Sequence, residues 1–158
     1  AFGPASVIDA QVWSGLTRLR EVFDRLRPRL MTFRDERGRE LFDLPDGPRP
    51  DPETPAPPRF LYDYENLLLS YDDRTRAIVP EEVAGIEVRQ NESISTFLVD
   101  GRVSGTWKVM RERSSTVLEL RPIRPLTAAE RAALADEGVA LLAFVAADVG
   151  DRDVRFVG

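Results

Sequence analysis

The stretch TRLREVFDRLRPRLMTFRDERGRELFDL, residues 17–44, decides the fold expected for the first part of the chain. Apolar residues recur at helical spacing between Leu16 and Leu26, which predicts a helix over residues 16–27 that Pro28 ends. Two short β-rich runs, residues 30–34 and 39–43, flank Gly38 and predict a hairpin. A shorter helix precedes them, with the spacing of a capping box at its start. The order helix, tight turn, helix, hairpin predicts a winged helix-turn-helix over residues 1–44.

The eight arginines of this stretch leave two interpretations open. On a helical wheel, Glu21 and Asp24 lie at the outward centre of the second helix, where phosphates would repel them. The i,i+4 pairs Arg20–Asp24 and Glu21–Arg25 favour a solvated, self-paired face. The alternative is that the helix start and the hairpin contact backbone phosphates. The candidate DNA-binding residues of this stretch are Thr17, Arg18, Arg20, Arg25, Arg34, Arg37 and Arg39.

The segment 45–58 is half proline and predicts an extended linker between two parts of the chain. The residues that follow, 59–158, change to strand-like patterns. Asp100-Gly101 joins two β-rich runs and predicts a two-residue hairpin turn. A third run ends at Pro122, a long helix follows with Thr127 and Glu130 spaced as a capping box, and DVRFV predicts a final strand. We therefore expect an α+β fold: a winged helix-turn-helix, then a small antiparallel β-barrel-like domain with one long helix.

Composition limits the chemistry that the chain can perform. Cysteine and histidine are absent, which excludes disulfides, thiolate metal sites and the commonest general base. The net charge of −5 argues against strong, nonspecific binding of polyanions. We expect no cofactor and no membrane partner, and the lack of cysteine fits a cytoplasmic protein. The sequence begins at Ala1 without a methionine, which we interpret as a piece of a longer protein.

Two further clusters of charged residues were considered as sites. The acids Asp72, Asp73, Glu81 and Glu82 match no metal-binding loop, so a solvated, turn-forming role is favoured and no metal site is expected. Arg74 and Arg76, in the DRTR sequence, share a side if the segment is extended. They join the candidate DNA-binding residues, although structural ion pairs with neighbouring acids are the simpler interpretation.

Several motifs resemble one protein family. NLLLS, DRTR, VDG, GTW and PLTAAER match its pattern over residues 66–70, 73–76, 99–101, 105–107 and 125–131. The chain resembles the winged-helix DNA-binding proteins of actinobacteria that are related to AlkZ-like and YcaQ-like DNA glycosylases, which unhook interstrand crosslinks. The resemblance covers essentially the whole chain, as the C-terminal part of such a protein. It departs from the pattern at Tyr71, where the family has histidine, and at Tyr62-Asp63, where it has proline and glutamate.

The resemblance implies tandem winged helices, of which residues 1–44 would be the third, and a β-barrel that together hold duplex DNA. It also implies a catalytic pair in a glutamine-x-glutamine or glutamine-x-aspartate motif far upstream. Only Gln11 and Gln90 occur here, so the chain carries no catalytic motif, and whether the parent protein is an enzyme stays open.

Three functions remain in competition. The leading one is duplex DNA binding through backbone phosphates, in a DNA-repair context and without chemistry of its own. The second is the non-catalytic part of an active glycosylase of alkylated bases, which must reach the glycosidic bond of a damaged base. The third is a structural or protein-interaction module that no longer binds DNA, as the acids on the second helix would suggest. The oligomeric state is not predicted.

Overall fold

The computed structural model describes residues 3–84, 94–112 and 114–158, which form two compact units. The first unit comprises residues up to Thr54 together with Tyr64–Arg74, and the second comprises Pro55–Asp63 and Thr75–Gly158. The chain therefore passes from the first unit to the second, returns, and leaves again. No pattern in the sequence signals that residues 64–74 belong with the helices and hairpin of the first unit.

The first helix, α1 (Val7–Ser14), begins at the predicted capping box. The backbone N–H of Asp9 donates to the Ser6 hydroxyl at 3.1 Å, and the Asp9 carboxylate accepts from the backbone N–H of Ser6 at 2.7 Å. Both groups satisfy N–H donors that a helix start leaves without an intrahelical partner. Gly15 ends the helix in the left-handed region, with φ of 70°, where glycine has no steric penalty.

The second helix is shorter than the pattern predicted. It spans Arg20–Leu26 (α2) and continues as a 3₁₀ turn over Arg27–Arg29. Arg18 has φ of 59°, outside the helical region, so the helix cannot extend back to residue 16. The Gln11 side chain accepts the backbone N–H of Leu19 at 3.0 Å and fixes this connection. Thr17 and Arg18 consequently lie before the helix, and the prediction that they form its first turn is wrong.

The predicted hairpin is formed by β1 (Met31–Arg34) and β2 (Glu40–Asp43), which pair antiparallel. Ala5 adds a bridge to the buried Phe42 on the other edge of β2. The ring of Phe42 lies 5.0 Å from that of Phe23, so helix α2 packs on the hairpin through an aromatic pair. A single-turn helix, α3 (Asn66–Leu69), completes the described elements of this unit.

The second unit is an open five-stranded sheet with one long helix. Its strands are β3 (Arg59–Leu61), β4 (Thr96–Val99), β5 (Arg102–Arg111), β6 (Ser115–Pro122) and β7 (Asp151–Phe156), paired in that order. Its helices are α4 (Pro80–Val83) and α5 (Ala128–Val145). The described strands do not close into a barrel, and the barrel-like expectation is corrected accordingly. The sheet is also not wholly antiparallel, because α5 carries the chain back along the sheet and β7 pairs parallel with β6.

The core of this unit lies between the sheet and α5. Phe97, Leu118 and Leu120 are fully buried against Leu134 and Leu142 of the helix. Trp107 packs against this cluster, and its indole N–H donates to the carbonyl of Leu61 at 2.9 Å.

Two glycines are required by the geometry of the sheet. Asp100 and Gly101 have φ of 51° and 71°, which confirms the two-residue turn between β4 and β5. At Gly105, an added Cβ would lie 2.3 Å from the Phe97 ring and 2.5 Å from the Arg121 carbonyl. Only glycine allows the ring of Phe97 to lie directly over β5 at this point.

The start of α5 is held by a charged capping box. This capping box predicts that the stability of the protein depends on pH. The Glu130 carboxylate accepts from the Arg124 guanidinium at 2.8 Å and from the backbone N–H of Thr127 at 2.7 Å. The bond from Arg124, with that from Thr127, lowers the pKa of Glu130 from 4.5 to about 2. A lowered folded-state pKa contributes stability that is present above pH 4.5 and is lost as the pH falls towards about 2.

We therefore expect Glu130→Gln to unfold at a lower temperature than the wild type at neutral pH. The difference in Tm should close as the pH is lowered from 4.5 to about 2, because the wild-type carboxylate becomes protonated over that range. Thermal unfolding followed by circular dichroism measures both proteins. Asp136→Asn removes an exposed carboxylate from the same helix and serves as the control for charge. A difference in Tm between Glu130→Gln and wild type that stays constant across this range would contradict the stabilising role of the Glu130 charge.

Candidate nucleic-acid interface

The turn of the β1–β2 hairpin brings several arginines together. Asp35 closes the turn, because one of its oxygens accepts the backbone N–H groups of Arg37 at 2.9 Å and of Arg39 at 2.8 Å. Gly38 occupies the left-handed position with φ of 77°. Arg34 donates to the Gly38 carbonyl at 2.9 Å. We call Arg34, Arg37 and Arg39, with the turn that carries them, the hairpin-turn cluster.

Two guanidinium groups of this cluster meet at one carboxylate oxygen. Arg37 and Arg39 lie 3.1 Å and 3.2 Å from the same Oδ2 atom of Asp73. Arg39 also donates from Nε to Asp35 at 2.6 Å. That bond lowers the pKa of Asp35 and raises the pKa of Arg39, because each charge stabilises the other. Arg39 is thus fixed between two carboxylates, whereas Arg37 contacts one carboxylate among the described residues.

The segment that carries Asp73 is itself anchored to α1. The backbone N–H of Asp72 donates to the buried carboxylate of Asp9 at 2.9 Å. The other oxygen of Asp9 belongs to the capping box, so a single side chain links the start of α1 to residues 72–73. This bond places Asp73 beside the hairpin turn, which is far from it in sequence.

Two of the four arginines of α2 and the 3₁₀ turn, Arg20 and Arg27, approach carboxylates of the same unit. Arg27 donates to both oxygens of Glu40, at 2.6 Å and 2.8 Å, and lies 3.6 Å from Asp24. The bonds between them raise the pKa of Arg27 and lower the pKa of Glu40. Arg20 approaches the same glutamate at 4.0 Å. The ion pairs therefore join α2 to β2, instead of the predicted i,i+4 partners.

The structure unites some predicted DNA-binding residues and separates others. Arg34, Arg37 and Arg39 converge on the hairpin turn. Three others are exposed: Thr17, Arg18 and Arg25. Within the described residues, neither Arg18 nor Arg25 forms an ion pair with a carboxylate. Arg74 bonds to main-chain carbonyls, those of Tyr71 at 2.9 Å and Leu69 at 3.4 Å. Arg76 lies in the second unit.

Two residues of the first unit were not among the predicted contacts. Arg29 is exposed and forms no ion pair in the part of the chain that the structure describes. It follows the proline that ends the helical pattern. Its position just before the hairpin in the sequence was the one feature that could have marked it as a DNA contact. Asp73 was considered for a metal site and instead holds two arginines. The long separation along the chain hides that pairing from pattern analysis.

Residues 3–84, 94–112 and 114–158 contain no group of three carboxylates able to hold a metal ion. None of their helices is long and apolar enough to cross a lipid bilayer.

Comparison with known proteins identifies the family to which the chain belongs. The profile described as DNA glycosylase AlkZ-like matches residues 1–144, which is most of the chain. The chain belongs to the AlkZ-like DNA glycosylase family. Among solved structures, the AlkZ-like chain is similar to the DNA glycosylase AlkZ of Streptomyces sahachiroi, with a TM-score of 0.72 and 22% sequence identity. The match covers 99% of this chain and 43% of that protein, so this AlkZ-like chain spans less than half the length of its structural relative. No curated protein matches it.

Proposed function

We propose that this chain binds duplex DNA through backbone phosphates, with the hairpin-turn cluster as the principal contact. Helices α1 and α2, the β1–β2 hairpin and the bridge from Ala5 would together form a winged helix, in which the hairpin is the wing. Membership of a DNA glycosylase family supports DNA as the partner. The observation that carries the proposal is the convergence of Arg34, Arg37 and Arg39 on one turn of an otherwise acidic chain.

The charges of the first unit favour phosphate contacts over reading of base edges. Glu21 and Asp24 are exposed on α2, and a carboxylate there would be repelled by the phosphates that line a groove. The hairpin turn presents planar guanidinium groups, which suit the paired oxygens of a phosphate. Arg18 and Arg25, which have no carboxylate partner among the described residues, would add backbone contacts. Such contacts position a protein on DNA without selecting a sequence.

The test is a titration of a fluorescently labelled duplex by the protein at a series of salt concentrations. We expect the logarithm of the binding constant to fall linearly with the logarithm of salt, by about 0.9 per phosphate contacted. Three contacts from the hairpin turn would give a slope between about −2 and −3. Two duplexes of unrelated sequence should bind alike. The proposal fails if no duplex binds at low salt, or if affinity does not respond to salt.

The family match also favours a second candidate function, excision of alkylated bases by the whole protein. The described residues offer arginines for holding DNA, and the chain has no glutamine pair of the expected catalytic spacing. We infer that this chain would supply DNA binding to such an enzyme. Incubation of alkylated duplex DNA with the whole protein, followed by cleavage at abasic sites, tests the activity. Intact strands after that treatment would remove this candidate.

A further inference from the structure

The meeting of two arginines at a single oxygen of Asp73 reproduces the way arginines hold a phosphate. A phosphodiester oxygen accepts charge-assisted hydrogen bonds from guanidinium groups at the distances seen here, 3.1 Å and 3.2 Å. We propose that Asp73 occupies a phosphate site of the protein, between Arg37 and Arg39, and that a DNA phosphate displaces it. This inference rests on the proposed function and adds that Asp73 competes with DNA for Arg37 and Arg39. Asp73 would act as an internal anion that weakens binding until DNA replaces it.

The exposure of the three side chains fits an exchangeable pair. The Arg37 side chain is 69% exposed, whereas that of Asp73 is 21% exposed and held in place through the Asp72–Asp9 bond. Arg39 binds Asp35 through Nε and Asp73 through Nη2, so loss of Asp73 does not itself remove the bond that orients its guanidinium. Water solvates the exposed guanidinium of Arg37 well, so the loss of its bond to Asp73 costs little net stability. A phosphate can therefore replace Asp73 without disrupting the turn, which Asp35 closes independently.

Displacement has a consequence for ions as well as for affinity. When a phosphate takes the two arginines, the Asp73 carboxylate is released and attracts cations from solution. These cations offset part of the counterions that leave the DNA, so the wild-type salt slope is less steep than the number of contacts alone would give. Removing the carboxylate should make binding tighter and the slope steeper.

The decisive variant is Asp73→Asn, which keeps the size of the side chain and removes its charge. We expect it to bind a duplex about 3- to 10-fold more tightly than wild type, with a salt slope more negative by up to about one. The matched control is Glu36→Gln, which makes the same change of charge on an exposed residue of the same turn. Glu36→Gln should raise affinity by less than about twofold, through net charge alone.

The outcomes separate this inference from the proposed function. Equal affinities for Asp73→Asn and Glu36→Gln, or weaker binding by Asp73→Asn, overturn the displacement of Asp73 while wild-type binding stands. Absence of duplex binding by the wild type overturns both. If Asp73→Asn unfolds, carbodiimide labelling of the wild-type carboxylates decides the matter. Duplex DNA must make Asp73 more reactive, because displacement releases its carboxylate, and unchanged labelling of Asp73 by a protein that binds DNA overturns the inference.

Discussion

Replacement of Phe97 by alanine is expected to lower the free energy of unfolding by about 3–5 kcal/mol, enough to unfold much of a marginally stable protein. Phe97 is fully buried, at 0% exposure, and its ring lies over Gly105 and beside Phe60 at 6.2 Å. Truncation removes the transfer free energy of the ring and leaves a cavity that the two neighbouring strands cannot close. Urea unfolding followed by circular dichroism measures the loss.

The matched control for this prediction is Phe144→Ala, the same substitution at a residue that is 85% exposed on α5. Its effect should stay within about 0.5 kcal/mol, since little apolar surface leaves water at that position. Equal destabilisation by the two substitutions would show that the core does not lie between the sheet and α5 as described.

The double substitution Arg34→Gln with Arg37→Gln is expected to weaken duplex binding by about 10- to 100-fold at moderate salt. Each arginine is proposed to neutralise one phosphate, so the salt slope should become less negative by about 1.8. Both side chains are exposed, and the turn is closed mainly by the bonds of Asp35 to the main chain, to which Arg34 adds one exposed bond to the Gly38 carbonyl. The loss should therefore appear in affinity and not in thermal stability. Fluorescence anisotropy of a labelled duplex, at several salt concentrations, measures both quantities.

A control of equal charge separates local contacts from net charge. Arg111→Gln with Arg155→Gln removes two exposed arginines from the second unit. If affinity depends on the hairpin turn, this pair of substitutions should change binding about twofold or less. Similar weakening by both pairs would mean that binding follows the total charge of the protein, and the hairpin-turn cluster would lose its assigned role.

Local signals in the sequence predicted the elements that local chemistry determines. The capping boxes at Ser6 and Thr127 occur where expected, because each is a bond between residues three positions apart. The Asp100-Gly101 turn follows from the positive φ that both positions require. The α+β composition and the membership of the glycosylase family were likewise predictable, the latter from short motifs spread along the chain.

What the sequence did not predict depends on contacts between distant residues. The direction of β7 is set by the path of α5 across the sheet, and an isolated strand pattern carries no information on whether its neighbour is parallel. The late start of α2 depends on the conformation of Arg18, a residue type that rarely adopts positive φ. At the candidate interface, the residue type alone identified the arginines as candidate phosphate contacts. The role of Asp73 as their partner could not be predicted, because only folding brings it to the turn.

The passage of the chain through two units has a consequence for biosynthesis. Strand β3 leaves the ribosome well before β4, its only described neighbour, and residues 64–74, which belong to the first unit, lie between them in the sequence. A nascent strand with an unpaired edge is a site for association with other chains. The proline-rich segment before β3 lacks N–H donors at many positions, so it is a poor partner for such an edge. Synthesis that stops after β3 has emerged and before β4 has done so would therefore leave a strand edge open to association with other chains.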